Sequence, residues 1–131
     1  VVVRALLISA SMDTVIVQPG ETAPSGLTVP LNVVMEAEMS ASESDGYIMF
    51  PQWTVTRTIT EDGQEETSQF LKRQESTTSY EFTEYGLFRI DFEWSYRDKD
   101  STATVPGKKI EPMTFSIDDS TNLVKLPSLS L

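Results

Sequence analysis

Between Phe88 and Arg97 the chain alternates without interruption. Phe88, Ile90, Phe92, Trp94 and Tyr96 hold one set of positions, and Arg89, Asp91, Glu93, Ser95 and Arg97 hold the other. Successive side chains of an extended strand point to opposite faces, so this period of two sets a fully apolar face against a fully polar one. A slip of one residue would put every large apolar group in water, which makes the register strongly specified. Each such group contributes about 1.5–3 kcal/mol when fully buried, before ordering entropy is subtracted. The stretch reads as a strand lying over a core that also holds Trp53.

The same rhythm recurs along the chain. Leu31, Val33, Met35, Ala37 and Met39 face one way while Asn32, Glu36 and Glu38 face the other, after a start marked by Pro24, Gly26 and Pro30. Trp53, Val55 and Ile59 alternate with Thr54, Thr56 and Thr58, and Pro51 sets the entrance of that run. Asp62-Gly63 is a strong hairpin signal. A weaker strand follows over about Thr67 to Arg73, then a short one with Tyr80 and Phe82, and a last one with Met113, Phe115 and Ile117. No window carries apolar residues at helical spacing between a cap and a stop. Six to eight such strands, each with one apolar face, pack naturally as an all-β, two-sheet antiparallel sandwich, with a closed barrel as the competing architecture.

Composition narrows function further. There is no cysteine and no histidine, so thiolate metal sites, His-ligated zinc and Ser–His–Asp triads cannot be assembled from this chain. A formal charge of −10 argues against nucleic acid and against anionic membrane surfaces, because both need clustered positive charge. No run approaches the roughly 18 apolar residues of a membrane helix, so membrane insertion is not expected. The most apolar segment opens the chain. Residues 1–12 read either as the tail of a secretory signal, with small residues Ser9 and Ser11 at cleavage spacing, or as an added strand. Residues 13–118 read as the sandwich. Residues 119–131 lose the alternation and read as a linker or the start of another domain.

Several of these landmarks together resemble a known module. Trp53 in mid-chain, Tyr80-Glu81-Phe82 followed by Gly86, Phe88 and Ile90, and the early Pro30-Leu31-Asn32-Val33 are similar to the PKD-type immunoglobulin-like domain. The turn that follows the tryptophan in that family is missing here, and Trp53-Thr54-Val55 continues into a longer hairpin. Phe115-Ser116-Ile117-Asp118 ahead of a linker looks similar to modules of large Bacteroidota cell-surface proteins. The resemblance implies an immunoglobulin-like sandwich in an extracellular or cell-surface protein. It would act as a spacer or partner-binding domain within a longer chain, without catalysis of its own.

Candidate chemistry is correspondingly sparse. Glycosidase-type chemistry needs two carboxylates at a fixed separation beside a sugar-sized cleft. Glu36, Glu38, Asp91 and Glu93 instead fall on the wet faces of strands. Calcium would need acidic loops that converge. Glu43-Ser44-Asp45, Glu61-Asp62, Asp98 with Asp100, and Asp118-Asp119 are the runs available, and none has a ligand-loop pattern, so no metal, cofactor or catalytic residue is expected. Tyr47, Phe50 and Tyr85 lie near loops and invite a sugar-stacking reading. Phe50 before Pro51 also fits a plug at the end of the sandwich, and Tyr85 beside Gly86 fits a corner. Lys72-Arg73 suits protection of an edge strand, and Lys108-Lys109 a solvated turn. The expected partners are a protein or glycan at the cell surface; a carbohydrate-binding module and a surface-fibre subunit that donates its first strand are the alternatives.

Overall fold

A computed structural model describes residues 1–40 and 45–119. It is a two-sheet antiparallel sandwich of nine strands among the described residues, and none of these residues is helical. The strands are β1 (Val2–Ser9), β2 (Met12–Val17), β3 (Leu31–Glu38), β4 (Tyr47–Glu61), β5 (Gln64–Arg73), β6 (Thr77–Phe82), β7 (Gly86–Asp98), β8 (Thr104–Pro106) and β9 (Met113–Ile117). The first sheet has the order β2-β1-β3-β6; the second runs β5-β4-β7, with β8 and β9 sharing the far side of β7. β3 pairs with β6 in one sheet and β4 with β7 in the other, so the chain crosses between sheets on leaving β3, returns on leaving β5 and crosses again on leaving β6. That interlocking is immunoglobulin-like. The sheets remain separate, so the closed barrel does not form.

Residues 2–9 form an interior strand of the first sheet, hydrogen-bonded to β2 on one side and β3 on the other. Val3, Ala5 and Leu7 are buried, and the core therefore extends into the opening apolar segment. Leu31, Val33, Met35 and Ala37 of β3 are buried as their alternation requires; Met39 lies past the end of the strand and is half-buried. The second sheet contributes Trp53, Val55, Leu71, Phe88, Ile90, Phe92, Met113, Phe115 and Ile117. Phe82 crosses the gap between sheets and meets Phe88 at 4.8 Å and Phe115 at 5.2 Å, both edge-to-face, and stacks on Phe70 at 5.3 Å. Trp53 packs on Phe92 at 4.6 Å and its indole N–H donates to the Ser76 carbonyl at 3.2 Å. That bond meets the polar demand of a fully buried tryptophan.

The β7 stripe departs from its expected burial. Phe88, Ile90 and Phe92 enter the core, but Trp94 and Tyr96 are only half-buried. The buried part of the second sheet ends at Trp53 and Phe92, and β4 and β7 continue beyond it as a paired overhang from Tyr47 to Gln52 and Glu93 to Asp98. β4 accordingly begins six residues before Trp53 and includes Pro51. Trp94 is covered by the backbone of Gly107, whose N–H donates to the Trp94 carbonyl at 2.7 Å. A Cβ on Gly107 would fall 2.2 Å from the indole, so only glycine permits this approach.

Two strands escape the alternation pattern. β2 has half-buried Val15 and exposed Ile16 in a β-branched run, and β8 is three residues long and ends in a proline. Between β2 and β3, residues 20–27 run alongside β9. Ala23 N–H donates to Thr114 O, Thr114 N–H to Glu21 O and Asp118 N–H to Leu27 O. This segment closes one side of the sandwich.

Candidate functional site

The overhang creates an open depression on the surface. Because β4 positions 48, 50 and 52 alternate with the core-facing Met49, Pro51 and Trp53, the side chains of Phe50 and Gln52 face away from the core. The cross-strand partners Phe50–Ser95–Pro106 and Gln52–Glu93 place two rows side by side on this outer face. Gln74, just past the end of β5, forms the wall on the other side. The result is an open groove of about 510 Å³ whose lining includes Phe50, Gln52, Gln74, Glu93, Ser95 and Pro106. Phe50 is 43% exposed. Chemically the groove offers the Phe50 ring, further apolar surface from Met49, Pro51, Trp94 and Pro106, two amides that both donate and accept, a hydroxyl and a carboxylate. This is a binding inventory for a neutral polar ligand or a loop carrying hydrogen-bonding groups.

The aromatics singled out in sequence go to three different places. Tyr47 lies on the core-side face of the overhang, edge-on to Tyr96 at 5.3 Å and 83°. Phe50 lies on the opposite face, in the groove, and is not a plug. Tyr85 sits at the corner before β7, with the Arg57 guanidinium 5.3 Å from its ring centroid and Arg57 Nε–H donating to its carbonyl at 2.8 Å. No shared stacking platform joins the three.

The acidic candidates disperse likewise. Glu36 pairs with Arg4 at 2.8 Å on the outside of the first sheet, and Asp91 pairs with Arg89 at 3.0 Å on the outside of the second. Glu36 and Glu38 therefore lie across the full thickness of the sandwich from Asp91 and Glu93. Glu61 accepts a long 3.4 Å bond from the Tyr85 hydroxyl, and Asp62 occupies the β4–β5 turn. Asp98 Oδ1 accepts the Asp100 N–H at 2.9 Å, a local turn that uses the carboxylate on the backbone. Glu43 and Ser44 lie outside the described residues. Among the described residues no three carboxylates come together as a metal site would require. Lys72 and Arg73 fall on β5, which is an edge strand.

Sequence reasoning missed Gln52, Gln74 and Pro106 as one group. The alternation around Trp53 would have turned Gln52 outward, but the meeting of residues 74 and 106 beside it depends on the β5 and β8 pairings. The chain matches no family model, no curated protein and no solved structure.

Proposed function

We propose that this chain is a non-catalytic module of a secreted or cell-surface protein, of the kind its PKD-type resemblance implies, and that it binds a partner through the outer face of the second sheet. The observation that carries this reading is the Phe50 groove. A large ring is left 43% exposed on the overhanging end of β4, and it is ringed by Gln52, Gln74 and Glu93. Exposed apolar surface rimmed by polar groups is a common feature of recognition sites. The rest of the longer chain and a surface protein are the partners this role implies, and a net charge of −10 disfavours nucleic acid.

A glycan is the second reading, favoured by the ring face set between amides and a carboxylate, which suits C–H stacking with flanking hydroxyl contacts. The fibre alternative loses support, because β1 is paired on both sides and its donation would remove the middle of the first sheet. Titration of ¹⁵N-labelled protein with neutral oligosaccharides of glucose, galactose and mannose tests the glycan reading. Shifts confined to residues 50–52, 74, 93–95 and 106, lost in Phe50→Ala, are the expected result for a sugar site. A blank titration leaves the protein-partner reading. That reading fails in turn if Phe50→Ala crosslinks on its native cell surface to the same neighbours as the parent chain.

A further inference from the structure

On the outer face of β7 the charged side chains are spent within the molecule, with one exception. Arg89 is held by Asp91 at 3.0 Å. Arg97 turns back and donates from Nη1 to the Ser101 carbonyl at 2.8 Å. Glu93 stands between these two on the same strand and lines the Phe50 groove. Among the described residues its carboxylate makes no hydrogen bond and no ion pair. Lys108 and Lys109 share a neighbouring depression with Glu93 without pairing to it, and no lysine or arginine among the described residues lines the groove itself.

The groups around Glu93 are unspent as well. The side-chain amides of Gln52 and Gln74 have no hydrogen-bond partner among the described residues. Gln52 stands directly across from Glu93, and the 43% exposed Phe50 is the diagonal neighbour of Glu93 on the same face. Diagonal neighbours of an antiparallel pair lie about 7–8 Å apart, so one flat cation can rest on the ring and reach the carboxylate.

We propose that the groove takes an arginine side chain of a protein partner, with the guanidinium over the Phe50 ring and Glu93 as its counter-ion. This rests on the groove being the partner site argued above. Charge complementarity selects the occupant. A free carboxylate with no cation in the lining repels an anionic group and gives a neutral one no ionic attraction. A guanidinium brings a plane that stacks on an aromatic face and a fork of donors for Glu93 and the two amide oxygens. An ammonium is a compact, strongly hydrated point charge and uses the ring face less fully. The net charge of −10 draws a basic partner from a distance, but the choice of the groove lies with these local groups.

Titration of the ¹⁵N-labelled 131-residue chain with capped glycine-X-glycine peptides, X being arginine, lysine or citrulline, tests this. Citrulline keeps the shape of arginine and lacks its charge. The expected result is a set of shifts at residues 50, 52, 74, 93 and 95, with arginine bound at least about threefold more tightly than citrulline and lysine in between. Added salt weakens the arginine complex. Glu93→Gln brings arginine down to the citrulline level with an unchanged thermal melt, since the side chain is exposed and unpaired. Glu65→Gln removes the same charge from β5 near the distant hairpin and leaves the affinity as it was. Citrulline or lysine binding as tightly as arginine, an affinity unmoved by Glu93→Gln, shifts centred on residues 61–66, or no shift up to about 10 mM peptide overturns the inference. The partner-site reading survives each of those results and falls only by its own crosslinking test with Phe50→Ala.

Discussion

Gly107 and Trp94 are the pair whose chemistry is most exposed to test. The indole is pressed against a backbone with no room for a Cβ, and its Nε1–H is buried without a hydrogen-bond partner among the described residues. Adding a methyl at position 107 overpacks the contact and should cost about 1–3 kcal/mol. Trp94→Phe removes the unpaired donor together with some packing area. Leaving a buried donor unmade costs about 1–3 kcal/mol, so the two effects roughly cancel and stability should change by less than about 1 kcal/mol. The smaller ring also makes space, so Gly107→Ala should cost less in the Trp94→Phe background. Chemical denaturation of the four proteins of this cycle measures the coupling, and strictly additive effects would contradict the packing described.

The longest pairing of the second sheet is β4 with β7, and the β4–β5 hairpin extends from its far end. That hairpin closes through Asp62 at φ 51° and Gly63 at φ 77°, between the paired Glu61 and Gln64. Two central residues with positive φ match the twist of the flanking strands. Any side chain at position 63 is strained there although nothing crowds it. Gly63→Ala should therefore cost roughly 1–2 kcal/mol, read as a melting point lower by several degrees. The groove, nearly the length of β4 away, should keep its chemical shifts. A variant that melts with the parent would show that the turn is formed differently.

For the molecule as a whole, ten excess negative charges work against the compact state, and dissolved ions relieve that strain generally. A specific calcium site would do more. Binding only the native state, it would add RT ln(1 + [L]/Kd), about 2.7 kcal/mol at a hundredfold excess over Kd. With Asp98 engaged by its own turn and no third carboxylate beside it among the described residues, calcium should raise the melting temperature no further than sodium at matched ionic strength. A calcium-specific rise of about five degrees or more, abolished by the double change Asp98→Asn and Asp100→Asn, would establish a site there.

The local code of this chain determined its class and most of its strands. Period-two alternation is a property of neighbouring residues, so Phe88–Phe92 and Leu31–Ala37 declared their buried faces without knowledge of the rest, and Asp62-Gly63 declared a turn. Alternation says which face of a strand is apolar, but not how far the opposing sheet reaches to cover it. Tertiary structure alone decided that burial stops at Phe92, so Trp94 rests on Gly107 and Tyr96 on Tyr47. β2 and β8 were illegible for a related reason: an edge strand is stabilised by one neighbour and can lack a regular pattern. The Phe50 groove arises the same way. It depends on where neighbouring strands end, and that is set by pairing between residues distant in the chain.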